Sequence, residues 1–317
     1  MALAITCPGQ GSQQVGMGFA LAEAYPAARA VFTEVDDALG ESLSRLMWEG
    51  PFETLTLTAN AQPALMAVSV AAMRVLGVEA GLDANAAAFV AGHSLGEYSA
   101  LVCAGSLTLS DAARLLRVRG QSMQAAVPVG AGAMAVLLGL EVDEAASVAA
   151  EAAAGQVCEP ANDNAPGQVV VSGHRTAVER AVEIAKGRGA RRAMLLPVSA
   201  PFHCALMAPA AEAMARALDD VALGRPSAPL VANALASAIA EPVDIKAALV
   251  RGVTGTVRWR ESVAWMAGQG VTQIVEVGAG RVLTGLAKRI APGVTASAVG
   301  TPEEAAAFGA RFSATQA

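Results

Sequence analysis

Ala86-Ala87-Ala88-Phe89-Val90-Ala91-Gly92-His93-Ser94-Leu95-Gly96-Glu97-Tyr98-Ser99-Ala100-Leu101-Val102-Cys103-Ala104 joins an apolar run to a helix-compatible run through Gly-x-Ser-x-Gly. The first run reads as a short buried strand. Strand, Gly-x-Ser-x-Gly and helix in that order describe a nucleophile elbow. The chain must reverse so tightly that residues without a side chain are needed either side of Ser94. The Ser94 hydroxyl is then expected at a helix N-terminus, where backbone N–H groups and the helix dipole favour negative charge. The alternative is a plain structural turn, because small residues cluster in many turns.

Composition narrows what surrounds this elbow. Hydrophobic residues make up 54% of the 317 and charged residues only 16%, so a sizeable core is available and disorder is excluded for the whole chain. The net charge of −6 argues against nucleic acid or an anionic membrane as the main partner. Cys7, Cys103, Cys158 and Cys204 are scattered, with no Cys-x-x-Cys pair, which fits neither a disulfide framework nor a zinc site. Residues 1–8 lack the basic segment of a signal peptide, and no apolar run is read as long enough to cross a bilayer. A soluble cytoplasmic enzyme without metal is the expectation.

Along the chain, Leu3–Cys7 reads as a buried strand ending in the glycine-rich loop Pro8-Gly9-Gln10-Gly11-Ser12-Gln13. Helices are expected over Gly18–Tyr25 and Pro26–Leu39, from Pro63 through Met73, and from Asp111 to Ala126 with Ser110 as N-cap. After Val127-Pro128-Val129-Gly130 the pattern changes. It becomes strand (Ala133–Leu140), helix (Asp143–Ala154), strand or loop (Val157–Cys158), strand (Gln168–Ser172), helix (Thr176–Lys186) and strand (Ala190–Val198). That order is ferredoxin-like. Beyond Pro201 alternation resumes, with strands at Pro229–Asn233 and Gln273–Val277. Helices are expected at Pro209–Leu218, Ile245–Val250, Trp259–Ala267 and Arg281–Ile290. The fold class is therefore α/β, a mostly parallel sheet with an inserted small unit. The division expected is 1–128 with 199–317 for the large domain and 129–198 for the small one.

A serine hydroxyl needs a base within hydrogen-bond reach, and the chain has 3 histidines. His93 neighbours Ser94 on a tight turn, so the two side chains are expected to point apart, leaving His93 structural or pocket-lining. His174 reads as a solvated capping residue. His203, in Ser199-Ala200-Pro201-Phe202-His203-Cys204, falls on a loop between the two expected domains, where a cleft belongs. It is the candidate base, against a buried core histidine, with Cys204 read as packing. No acidic residue lies nearby in sequence, so a backbone carbonyl is expected to orient the imidazole. Arg114 and Arg117 share an exposed helical face. Arg119, about 140° round from Arg114, points elsewhere; in the Ser94 pocket it would offer a planar fork to a carboxylate.

At these residues the chain resembles the malonyl-CoA:acyl carrier protein transacylases almost end to end. The likeness runs through Pro8–Gln13, Gln62-Pro63-Ala64-Leu65, Gly92–Leu101, Arg119-Gly120, Asn162-x-Asn164-x-Pro166-Gly167-Gln168, His203-Cys204-Ala205-Leu206-Met207 and Glu276-Val277-Gly278. The resemblance implies a large α/β-hydrolase-like domain, a ferredoxin-like small domain and a site in the groove between them. It implies Ser94 as the acylated nucleophile, His203 as base and Arg119 as partner of the malonyl carboxylate. Backbone N–H groups of Gln10 and Leu95 would form the oxyanion hole, and the main-chain carbonyl of Arg258 would orient His203. Gln62, His93, Asn162 and Phe202 would line the pocket. Malonyl-CoA and an acyl carrier protein are the implied partners, with no cofactor and a monomeric enzyme.

Arg258 replaces a common glutamine, and Gly278-Ala279-Gly280 a common Gly-Pro-Gly. Phe202 replaces a smaller residue, and an aromatic there goes with malonyl over methylmalonyl selection in related domains. Since the implied carrier is acidic, as this chain is, docking must use local basic patches: Lys186, Arg188, Arg191 and Arg192, or Lys288 with Arg289. Competing readings are a serine esterase or thioesterase, a silent scaffold that only docks carriers, and a malonyltransferase serving a polyketide synthase or malonate decarboxylase rather than fatty acid synthesis.

Overall fold

The computed structural model describes residues 2–316. Its strands are β1 (Ala2–Cys7), β2 (Phe89–Gly92), β3 (Gly132–Leu138), β4 (Cys158–Ala165), β5 (Gln168–His174), β6 (Arg192–Leu195), β7 (Leu230–Ala232), β8 (Ser237–Ile239), β9 (Val271–Val277) and β10 (Thr295–Val299). The larger sheet has the order β10-β9-β1-β2-β7-β8, parallel throughout except for the antiparallel β8. Helices cover both faces, so β1 alternates between two apolar layers: Leu3, Ile5 and Cys7 enter one core and Ala4 the other. The carboxyl ends of β1 and β2 lie side by side, with Cys7 opposite Gly92. Ligand sites of open parallel sheets form at this edge.

The smaller sheet is antiparallel, in the order β4-β5-β3-β6. Ala133, Ala135 and Leu137 of β3 pack against Val148 and Ala149 of the helix Val142–Ala153, and against Val178 and Ala181 of Arg175–Gly187. Met134, one residue out of phase, belongs to the other face and joins the large core. The arrangement is ferredoxin-like, as the element order suggests.

Several expectations need correction. β4 is a full strand of 8 residues where the sequence suggested a strand or loop at Val157–Cys158. Pro160 and the run Asn162-Asp163-Asn164 mask it. Pro160 is tolerated because β4 is an edge strand whose register shifts at Ala161 and again at Asn164. Its free edge meets the large unit instead: Asp163 N–H donates to Val257 O at 2.9 Å, and Val257 N–H to Ala161 O at 2.9 Å. The buried Asp163 carboxylate accepts two bonds from Arg260 Nε, at 3.0 and 2.9 Å. The helix expected from Pro63 spans Thr58–Ala80, with Pro63 inside it. At mean hydropathy 1.5 it is long and apolar enough to cross a membrane, contrary to the sequence reading, yet 83% of that stretch is buried within this fold. Thr108, not Ser110, caps the helix Leu109–Ala125 by accepting from Asp111 N–H; the Ser110 hydroxyl donates to Glu34. β8, β10 and the helix Pro302–Gln316 were not anticipated.

The helices Thr58–Ala80 and Leu109–Ala125 cross in backbone contact at Gly120. A Cβ there would lie 2.5 Å from Ala59 Cα and 2.6 Å from Thr58 O. This approach carries Arg119 onto Gln62. In Gly120→Ala, the gain in helix propensity of about 1 kcal/mol competes with overpacking of about 1–3 kcal/mol against rigid backbone. A net loss of stability with a lower Tm is expected, together with weakened transfer activity. Denaturant unfolding that matches the unsubstituted protein would contradict this packing.

Candidate active site

Gly92 and Gly96 are required sterically. A Cβ at Gly92 would be 1.9 Å from Gly96 C, and one at Gly96 would be 2.3 Å from Cys7 O. Between them Ser94 adopts φ 53°, a left-handed conformation costing a non-glycine residue about 1–2 kcal/mol. His93 N–H donates to Cys7 O at 3.0 Å, which pins the turn to the end of β1.

His203 also has positive φ, 59°, and its Nε2 is 2.8 Å from Ser94 Oγ. Its Nδ1 is 2.9 Å from Gly252 O, which can only accept, so Nδ1 carries the proton and Nε2 offers its lone pair to the serine. The orienting carbonyl is therefore that of Gly252, not Arg258. Gly252 lies in the last turn of the helix Pro242–Thr254, where carbonyls lack helical partners. Arg258 is the N-cap of Trp259–Gly268, and its carbonyl accepts from Ser262 N–H and Oγ–H. The Arg258 guanidinium pairs with Glu261. Burial, then the Arg119 charge, push the His203 pKa down to about 3. The imidazole is thus neutral at physiological pH.

Arg119 is 4% exposed yet has no carboxylate partner within salt-bridge distance among the described residues. Nη1 donates to Gln62 Oε1 at 2.8 Å, Nη2 donates to Ser94 Oγ at 3.1 Å, and Nε has no hydrogen-bond partner. The Tyr98 ring centroid lies 5.9 Å from the guanidinium carbon. Burial holds the Arg119 pKa below its ordinary value. Gln62 Nε2 donates to Thr58 Oγ1, which donates to Gln10 Oε1, so a chain of polar side chains runs from Arg119 to the glycine-rich loop.

Neither Gln10 nor Leu95 uses its backbone N–H in a hydrogen bond among the described residues. Both residues line a cavity of about 690 Å³ with Gln62, His93, Ser94, Arg119, Asn162, Phe202 and His203. Met123, Met134, Leu196 and Val198 add apolar walls that the sequence reading did not single out, because they come from three separate segments. His93 Nε2 is 2.9 Å from Asn164 Oδ1, and its ring packs beside Trp259. Of the remaining candidates, His174 does stand at the N-cap of Arg175–Gly187, but its side chain makes no capping bond; its Nδ1 accepts from Val157 N–H instead. Arg117 is drawn to Asn60 and Glu41 rather than left solvated. Two residues of the elbow support were also missed. Asn233 bonds to Ser94 and Gly92, and Glu97 is a buried carboxylate held by Asn233 N–H, its pKa raised to about 7 by burial.

The basic patches are partly neutralised. Lys186 pairs with Glu183, Arg188 with Glu151, and Arg289 donates to Gln168 Oε1 and Pro166 O. Among the described residues, Arg191, Arg192 and Lys288 make no ion pair and are exposed.

Residues 5–302 match the acyl transferase domain family. The malonyl CoA-acyl carrier protein transacylase of Escherichia coli K12 is 49% identical over 304 residues, covering 96% of this chain and 97% of that protein. The crystal structure of an acyl-carrier-protein-S-malonyltransferase from Bartonella henselae superposes with a TM-score of 0.96 at 54% identity, covering 99% of this chain and 100% of that one. A malonyl-transacylase solved in complex with its type II polyketide synthase acyl-carrier protein superposes at TM-score 0.93 and 46% identity, over 96% and 98% of the two chains. With its elbow serine, neutral histidine and buried arginine in one cavity, this chain belongs to the acyl transferase family.

Proposed function

We propose that the enzyme transfers a malonyl group from malonyl-CoA to the phosphopantetheine thiol of an acyl carrier protein, with Ser94 as the acylated residue. The observation that carries this reading is the buried Arg119 guanidinium, which forms no salt bridge among the described residues and donates to the same Ser94 oxygen that attacks. An unpaired buried cation is costly, so the acyl group that suits this cavity brings its own carboxylate. An ordinary ester substrate does not, which disfavours the hydrolase reading.

His203 Nε2 takes the Ser94 proton as Oγ attacks the thioester carbonyl. The tetrahedral oxyanion is received by the Gln10 and Leu95 backbone N–H groups, each worth about 2.7–4 kcal/mol in such sites. The imidazolium returns its proton to the departing coenzyme A sulfur, leaving a malonyl-serine ester. The carrier thiol gives its proton to His203, attacks the ester and regenerates Ser94 in the reverse order. Gln62 holds the Arg119 fork, and Phe202 crowds the α-carbon. A cytoplasmic monomer without cofactor, supplying fatty acid synthesis, completes the proposal. Its domains are 1–128 with 199–317 and an inserted 129–198. The carrier docks against one of two basic patches, Lys186 with Arg188, Arg191 and Arg192, or Lys288 with Arg289, of which Arg191, Arg192 and Lys288 form no ion pair among the described residues.

Arg119→Ala should slow malonyl transfer by about 10²-fold or more, since it removes two charge-assisted bonds of about 1.5–3 kcal/mol each. Uncharged acetyl transfer should lose far less, as intact-mass analysis with both donors will show; equal losses remove Arg119 from carboxylate binding. His203 should stay neutral through the physiological range. Its ring resonances in NMR spectra of labelled protein should therefore not titrate near pH 6.5, the ordinary histidine value, and a midpoint there would contradict the neutral base. For docking, Arg191→Glu combined with Arg192→Glu should raise the KM for carrier protein without changing the rate of coenzyme A release. An unchanged KM dismisses that patch.

A further inference from the structure

The elbow is held from outside its own segment by one side chain. Asn233, directly after β7, is 1% exposed and uses all of its polar groups. Its Oδ1 accepts from Ser94 N–H at 2.7 Å and its Nδ2 donates to Gly92 O at 2.7 Å, so the amide clamps the reversal across its open side. Its backbone N–H donates to Glu97 Oε1 at 2.8 Å, and its carbonyl accepts from Arg258 N–H at 3.2 Å. The other Glu97 oxygen faces Gly252, where a Cβ would lie 3.6 Å from Oε2. Gly252 is the residue whose carbonyl holds His203 Nδ1. Asn233 therefore ties the serine turn to the packing that backs the histidine.

We infer that Asn233 is a positioning residue for acyl transfer: by engaging Ser94 N–H and Gly92 O together, it sets the peptide orientation that leaves Leu95 N–H free for the oxyanion. The geometry has a direct chemical consequence. Ser94 is in a left-handed conformation, and its N–H is taken by Asn233 Oδ1. The next N–H, of Leu95, has no partner among the described residues and borders the cavity. Without the amide the turn can relax about the Ser94 φ, moving Oγ and the Leu95 donor together away from His203 Nε2. A displacement of about 1 Å in such a constellation costs on the order of 10²-fold in rate. Substrate affinity, set by Arg119 and the apolar walls, is left alone. The inference rests on Ser94 being the acylated residue.

The test is single-turnover acylation by malonyl-CoA, followed by rapid quenching and intact-mass analysis, on Asn233→Ala, Asn233→Asp and Ser94→Ala proteins with a thermal melt of each. For Asn233→Ala the acylation rate is expected to fall about 10²-fold with the half-saturating malonyl-CoA concentration unchanged. Asn233→Asp separates positioning from folding. Only its protonated acid can accept from Ser94 N–H and donate to Gly92 O as the amide does. Its rate relative to the unsubstituted enzyme should therefore rise from about pH 7.5 to about pH 5.5, while the Ala ratio stays flat. An Ala variant that acylates at full rate overturns the inference. So does a loss that only tracks the unfolded fraction and vanishes on cooling, or an Asp ratio independent of pH should the Ala protein not fold. Acylation that persists in Ser94→Ala instead refutes the nucleophile assignment on which the inference stands.

Discussion

The chain reversal at Ser94 sets where every other functional group must be. With no room for a Cβ at Gly92 or Gly96, the serine is driven into a left-handed conformation at the carboxyl edge of β1 and β2. Such backbone strain persists only where surroundings over-determine it. Here they do: Cys7 O receives His93 N–H from one side, and Asn233 clamps Ser94 and Gly92 from the other. The histidine is delivered in a similarly unusual backbone conformation from a distant loop. Reactive groups on both sides of the cleft are thus fixed by main-chain geometry, which reduces the reorganisation needed at the moment of attack.

Within that frame the electrostatics are asymmetric. A neutral imidazole and a buried guanidinium share the Ser94 hydroxyl, and the Glu97 carboxyl accepts from Asn233 N–H rather than from Arg119. The cation has two effects with one cause. It adds to burial in lowering the basicity of His203, keeping the lone pair available, and it places a positive charge without a salt bridge in the cavity wall. Both favour an acyl donor that is itself anionic, because its carboxylate relieves the buried charge without competing for the imidazole.

The two sheets meet along β4, whose outer edge at residues 161–163 bonds to Val257 and is locked by the Asp163–Arg260 pair. That seam brings Asn162 to the cavity and Asn164 to His93. The cavity wall is consequently shared: Met134 and Asn162 come from the small sheet, and Gln62, Arg119 and Met123 from helices of the large unit. Close backbone contact at Gly120 brings those helices together.

Local chemistry made much of this readable beforehand. Gly-x-Ser-x-Gly between an apolar run and a helical run specifies an elbow because the steric requirement lies within five adjacent residues. Alternating strand and helix patterns specify a covered parallel sheet, because periodicity is a property of neighbours in sequence. β4 escaped because its outer edge pairs with Val257, outside its own sheet, so its polar run is not exposed as the pattern suggests. The histidine support was misplaced for a related reason: a carbonyl's freedom depends on where a helix ends, and Gly252 rather than Arg258 lies at such an end. Asn233 had no local signal at all, being 139 residues from the serine it holds. The sequence by itself determined the kinds of group present and the turn that presents the nucleophile. Only the tertiary structure decided which distant groups meet it, because hydrogen bonds and charges act through space at about 3 Å, a distance unrelated to separation along the chain.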